Sequence, residues 1–236
     1  GLCRADSGLI CVNGEPAAIS CPRDAIALGI GMVHQHFMLA ERLIVAENII
    51  AGCEPRRHGL LDYGRAREEI LEVSHRYGLT VNPDAVVEEI SVGQQQRVEI
   101  IKALMRGARV LILDEPTAVL TPPEVDELFS VMRALRASGT TIIFITHKLK
   151  ETMEISDRVT VLRDGRTVGV VNTADATSDQ LVEMMVGRSL PIHDDQRIPA
   201  HEMIALELKD ISVAGRRGSR ARLSGVDLAV RRGEIL

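Results

Sequence analysis

Two short apolar runs, separated by one amphipathic helical pattern, constrain the fold of this chain more than any other feature. Val110-Leu111-Ile112-Leu113 runs into Asp114-Glu115, and Thr141-Ile142-Ile143-Phe144-Ile145 runs into Thr146-His147. Between them, residues 123–137 place Val125, Leu128, Val131, Met132 and Leu135 at three-to-four spacing, the period of a helix with one buried face. Strand, helix and strand at this length form a βαβ crossover, which makes the two strands parallel. Parallel α/β sheets bind ligands at the carboxyl ends of their strands, where Asp114, Glu115 and His147 stand. An Asp there can hold a hard cation such as Mg²⁺, usually through water. A Glu beside it can orient and deprotonate an attacking water, and a His on the next strand can contact a terminal phosphate. By spacing alone, an acidic pair that merely caps the following helix is an equal reading.

The remaining chain supplies further pieces. Residues 8–12 and 16–19 flank Asn13-Gly14, a hairpin signal because both turn positions favour positive φ. Pro22 suits the first turn of a short helix, and residues 29–33 read as a buried strand leading into His34-Gln35-His36. Residues 45–87 read as helical, with Asp62 capping and Gly78 closing a helix that carries Ile70, Leu71 and Tyr77. A second helix covers residues 94–106, with Val98, Ile101, Leu104 and Met105 on one face. The Ser91-Val92-Gly93-Gln94 segment before it presents free N–H groups at a helix start, as an anion site or as an ordinary Ser91 cap. Residues 158–162 and 167–171 flank Asp164-Gly165 as an antiparallel hairpin, and residues 181–186 belong to a helix stopped by Gly187. The polar, Pro-containing residues 188–203 read as a linker, and residues 204–213 and 223–230 as two paired strands too short to fold alone.

Composition removes several function classes. Aromatic residues make up 2% of the chain, with no Trp, which argues against a base-stacking platform or a carbohydrate cleft. A net charge of −5 gives no support to general nucleic-acid binding. The longest stretch without a charged residue, 25–40, contains two His, a Gln and two Gly and is no membrane span. No basic region precedes an apolar run at the start, so a secretory signal is not expected there. Four cysteines without a CxxC pair read as reduced, small hydrophobes, and His34 and His36 have no third metal ligand nearby.

Taken in order, Gln35, Ser91-Val92-Gly93-Gln94-Gln95-Gln96-Arg97, Leu113-Asp114-Glu115-Pro116-Thr117 and Ile145-Thr146-His147 resemble the nucleotide-binding subunit of an ATP-binding-cassette (ABC) transporter. The resemblance covers residues 1–187. It implies an α/β ABC-type domain with a mostly parallel sheet, antiparallel hairpins and a helical subdomain at about residues 45–106 that meets a transmembrane partner. It makes Gln35 the Q-loop glutamine, residues 90–94 the signature loop that contacts the γ-phosphate held by an opposing cassette, and Asp114 the Walker B aspartate. Glu115 becomes the catalytic base and His147 the switch histidine. Ser91, Gly93, Gln94, Gln35 and Asp114 would contact nucleotide, with Asp114 and Gln35 toward the metal; the implied cofactors are ATP and Mg²⁺. Val92 stands where the commonest signature has Gly, and Thr121 where the D-loop usually has Asp.

More narrowly, residues 29–39 and 91–104 are similar to the tandem-cassette importers of simple sugars and nucleosides, the nucleoside branch above all. Residues 204–236 resemble the opening strands of a second cassette. The implied partners are transmembrane permease subunits and, indirectly, a periplasmic or lipoprotein solute-binding protein, at the cytoplasmic face of the membrane and without nucleic acid. A soluble tandem-cassette ATPase working on ribosomes or nucleic acid is the alternative. Such proteins carry a long charged helical linker, unlike the short Pro-containing one here. The one basic cluster, Arg216, Arg217, Arg220, Arg222, Arg231 and Arg232, reads as a solvated hairpin. A non-catalytic scaffold is a third reading, which intact Asp114, Glu115 and His147 argue against.

No GxxxxGK[ST] loop occurs, and none of Lys102, Lys148, Lys150 and Lys209 lies in a Gly-rich loop. Such a loop cradles phosphates with its N–H groups and balances their charge with its Lys. The chain therefore reads as the piece between two such loops, lacking both. The 236 residues alone are expected neither to bind ATP tightly nor to hydrolyse it. Stoichiometric, Mg²⁺-dependent turnover by the purified chain would contradict this.

Overall fold

In the computed structural model of this chain, described for residues 1–187, 202–213, 223–234 and 236, the two apolar runs become neighbouring strands. The chain divides into two compact units, residues 1–189 and 190–236. The first unit opens on a small hairpin, β1 (Cys11–Val12) and β2 (Glu15–Pro16). Its turn residues Asn13 and Gly14 both have positive φ, 53° and 84°, as the Asn-Gly pair predicts. Helix α1 (Pro22–Ala27) begins with its proline in the first turn. Strand β3 (Ile30–Val33) follows, then helix α2 (Val45–Ile50).

Residues 45–87 are not continuously helical. After α2 the chain makes a hairpin, β4 (Arg56–Arg57) and β5 (Leu60–Leu61), then helix α3 (Tyr63–Tyr77) and an extended return in which Val86 bridges to Ile44. Pro55 removes a donor, and Gly52, His58 and Gly59 all take positive φ, which a helix cannot accommodate. Asp62 caps α3 by accepting from the Arg65 N–H, and Gly78 ends it in the left-handed region, as expected. Ile70 is buried by α3, whereas Leu71 turns to solvent.

Helix α4 (Val92–Met105) leads to strand β6 (Val110–Asp114), helix α5 (Pro122–Ala137) and strand β7 (Thr141–Ile145). The sheet order is β3-β6-β7, all parallel, with Val33 beside Leu113 and Leu113 beside Phe144. This is the crossover that the apolar runs predict. One sheet face turns Val33, Leu111 and Leu113 into a core shared with Ile49, Ile70, Ile100, Ile101 and Phe129. The other face of β7 leaves Ile143 and Ile145 exposed, and Met32 of β3, expected to be buried, is also exposed.

Helix α6 (Leu149–Ile155), hairpin β8 (Arg158–Arg163) and β9 (Arg166–Asn172), and helix α7 (Ser178–Val186) complete the first unit. Asp164 and Gly165 make the β8–β9 turn at positive φ, and Gly187 stops α7 in the left-handed region. The second unit contains the antiparallel pair β10 (Ile204–Val213) and β11 (Leu223–Arg231). Most of the linker and the arginines at 216, 217, 220 and 222 lie outside the described residues. Among the described residues, no helix is long and apolar enough to cross a membrane.

The entry to α1 carries a pH-sensitive contact. The Asp24 carboxylate accepts from the Ser20 hydroxyl at 2.7 Å and from the Ser20 and Cys21 N–H groups at 2.8 and 3.1 Å. These bonds, the Ser20 hydroxyl first, hold its pKa down to about 2 from an ordinary 3.8. A depressed folded pKa means that this contact stabilises fully above about pH 4 and is lost as pH falls toward 2. We expect acidification through that window to loosen residues 20–28 first, read as amide chemical-shift changes that Asp24→Asn abolishes. Shifts that persist unchanged in the variant would contradict the assignment.

Candidate active site

Three parallel strands deliver their carboxyl ends to one edge of the sheet. Asp114 is the last residue of β6 and sits in register with Ile145 of β7. Glu115 follows with φ of 47°, a left-handed backbone for a residue with a Cβ, and its N–H donates to the Ile145 carbonyl at 2.9 Å. From β7 the chain brings His147 round, so that its Nδ1 lies 2.8 Å from Glu115 Oε1. An ionised carboxylate only accepts, so in that state Nδ1 carries the proton, and Nε2 is an acceptor on the neutral ring and a donor on the imidazolium. The His147 side chain is 70% exposed and that of Glu115 19%. The second carboxylate oxygen, Oε2, is buried without a hydrogen-bond partner. Gln35 reaches the same edge by strand register, at an exposed bend just after β3.

A ring of side chains that sequence reasoning missed holds the loops of this edge. Buried Gln96 of α4 donates from Nε2 to the Pro116 carbonyl at 2.8 Å. Lys148 Nζ donates to the Thr117 carbonyl at 2.9 Å and to its hydroxyl at 3.2 Å, and Thr117 in turn donates to Glu151 of α6 at 2.5 Å. One turn beyond Gln96, buried Glu99 accepts from the Met38 N–H at 3.0 Å, while Lys102 donates to the Met38 carbonyl at 3.1 Å. The segment that carries Gln35 is thus tied to α4 as well. The apolar face read from sequence, Val98, Ile101, Leu104 and Met105, did not include Gln96 or Glu99, whose burial appears only in the fold, where each polar side chain has a partner.

The predicted anion site at the start of α4 is not brought to the Asp114–Glu115–His147 edge by any hydrogen bond of its own. Ser91 and Gln94 form a reciprocal cap, Ser91 Oγ accepting from Gln94 N–H at 3.3 Å and Gln94 Oε1 accepting from Ser91 N–H at 3.0 Å. Gly93 is buried with the Glu124 carboxylate against it; a Cβ at Gly93 would come within 2.5 Å of Glu124 Oε1. Glu124 caps α5 by accepting from the Thr121 N–H at 3.0 Å and hydroxyl at 2.8 Å, bonds that lower its pKa. Among the described residues, no three His, Cys, Asp or Glu side chains gather as a metal site, His34 and His36 included. Cys3, Cys11, Cys21 and Cys53 are free thiols.

Comparison with known proteins gives this geometry its setting. The model of the family described as ABC transporter matches residues 1–118. The "Nucleoside import ATP-binding protein NupA" of Lactococcus lactis subsp. cremoris is 48% identical over 236 residues, which is 100% of this chain and 46% of that protein. The "Guanosine import ATP-binding protein NupO" of Bacillus subtilis is 48% identical over 238 residues, with the same coverage of 100% and 46%. The "Ribose import ATP-binding protein RbsA 1" of Rubrobacter xylanophilus is 45% identical over 236 residues, again at 100% and 46%. The chain spans about half the length of the curated relatives it matches. Among solved structures, MJ1267, an ATP-binding cassette of an ABC transporter in its ADP conformation, superposes with a TM-score of 0.67 at 23% identity, over 80% of each chain. The cbiO1 protein from Clostridium perfringens, part of the ABC transporter complex cbiONQ, gives 0.62 at 27% identity, over 79% of this chain and 74% of that one. With a parallel three-stranded sheet, an acidic pair at the end of its middle strand and a family match spanning residues 1–118, half of its length, this chain belongs to the ABC transporter family.

Proposed function

We propose that these residues work inside an ATP-hydrolysing subunit that energises import of nucleosides or simple sugars, with nucleosides favoured. The observation that carries the reading is Glu115: one carboxylate oxygen on His147, the other buried and unpartnered, at the carboxyl end of a parallel strand. Two relatives at 48% identity over the whole chain are named for nucleoside import and guanosine import, which supports nucleosides over sugars. Residues 1–187 would form most of a first cassette and residues 204–236 the opening strands of a second. The working site would be peripheral, at the cytoplasmic membrane face, with permease subunits as direct partners and a solute-binding protein as an indirect one.

In this reading the Glu115 carboxylate accepts a proton from the attacking water, while the bond to His147 fixes its orientation. His147, open to solvent on its far side, would meet the terminal phosphate through Nε2–H in the imidazolium form, in which both ring nitrogens donate. Asp114 and Gln35 fit a Mg²⁺ role, since both carry oxygen donors at the carboxyl ends of adjacent strands, Gln35 just beyond β3, and such sites use one or two carboxylates together with substrate phosphates. Bound Mg²⁺ would neutralise phosphate charge and help orient the phosphates. Ser91, Gly93 and Gln94 would meet nucleotide held by an opposing cassette once the Ser91–Gln94 cap and Glu124 make way. The test is turnover of the complete polypeptide with its membrane subunits in proteoliposomes. Nucleoside-stimulated ATP hydrolysis and uptake are expected; stimulation by ribosomes alone would overturn the reading.

A further inference from the structure

We propose that Gln96 is a positioning residue for Glu115, acting through the Pro116 carbonyl; this rests on Glu115 being the base. The backbone of Glu115 is in the left-handed region, which a residue with a Cβ occupies only where its surroundings over-determine it. On the upstream side, the Glu115 N–H is held by the Ile145 carbonyl at 2.9 Å. On the downstream side, the next carbonyl along, that of Pro116, accepts from Gln96 Nε2 at 2.8 Å. Gln96 is itself 2% exposed, so no water takes its place cheaply; the peptide between Glu115 and Pro116 has no N–H and is held through the Glu115 carbonyl, which accepts from the Ala118 N–H at 3.1 Å. The Thr117 carbonyl beyond is held separately by Lys148. Among the described hydrogen bonds, Gln96 is therefore the one side chain that secures the Pro116 carbonyl, one peptide beyond Glu115.

Gln96 also lies on α4, the helix whose first turn carries Ser91, Gly93 and Gln94 and whose later turn holds the Met38 backbone through Glu99 and Lys102. A rigid helix thus sets the relative placement of the loop bearing Glu115 and the segment bearing Gln35. The hold on Pro116 converts the position of α4 into the position of the Glu115 carboxylate.

The test uses the complete polypeptide with its membrane subunits. Gln96→Met keeps the side-chain length and removes the donor. We expect kcat for ATP to fall about 10- to 100-fold with KM within about 2-fold, as for a misplaced reacting group. In a Glu115→Gln background, single-turnover rates should show no further loss from Gln96→Met, because the two act as a unit. An unchanged kcat in Gln96→Met, or a full additional loss in the Glu115→Gln background, overturns the proposal. Should Glu115→Gln itself leave turnover intact, the reading of Glu115 as base fails first, and that result is distinguishable from the other two. If Gln96→Met does not fold, Gln96→Asn, which retracts the amide by one carbon, is read by the same criteria.

Discussion

Glu115→Gln is expected to lower kcat for ATP hydrolysis by about 10²- to 10⁴-fold, the range for loss of a positioned general base. The amide keeps the size of the side chain and can still meet His147, but it cannot take a proton. The change leaves the fold nearly untouched, because the oxygen it replaces at Oε2 has no hydrogen-bond partner to lose. ATP affinity should therefore survive, and single-turnover kinetics with the complete protein would separate binding from chemistry. Retention of more than about a tenth of wild-type turnover would remove Glu115 from the role of base.

Phe129→Ala is expected to cost about 3–5 kcal/mol of stability, the range for emptying a large aromatic site in a packed core. Phe129 is 1% exposed, and its ring meets Phe144 edge to face at 6.2 Å and 84°. That contact seats α5 on β7, the strand that brings His147 to Glu115. In a unit of this size the loss corresponds to a fall in Tm of roughly 6–20 °C. A shift below about 2 °C would mean that α5 does not pack on β7 through this ring.

The crossover was legible because its signals are local. Apolar runs of four and five residues with a helical period between them leave few folds open, and the strand-end rule then picks out Asp114, Glu115 and His147. The hairpin turns at Asn13-Gly14 and Asp164-Gly165 were equally local, set by residues that accept positive φ. What sequence reading missed is mostly long-range. Gln96 and Pro116 are 20 residues apart, Thr117 and Lys148 31, and Thr117 and Glu151 34, so no short pattern joins them. Phe129 escaped notice as core because the helical period was satisfied by Leu128 and Met132 beside it. The β4–β5 hairpin was lost inside an apparently helical stretch, where the breaks at Gly52, Pro55 and Gly59 outweigh propensity. At the start of α4 the sequence left an anion site and an ordinary Ser91 cap as alternatives, and within this chain Ser91 and Gln94 form the cap.

The left-handed backbone at Glu115 has a consequence for how variation at this position should be read. A library covering every amino acid there would sort in two unrelated orders. Ranked by protein abundance, Gly and Asn should lead and the β-branched Val, Ile and Thr should trail, since that order follows conformational preference. Ranked by turnover, only an ionisable carboxylate should survive, whatever its abundance. A survey that scored growth alone would merge the two orders and hide that one residue answers to the backbone and to the chemistry separately.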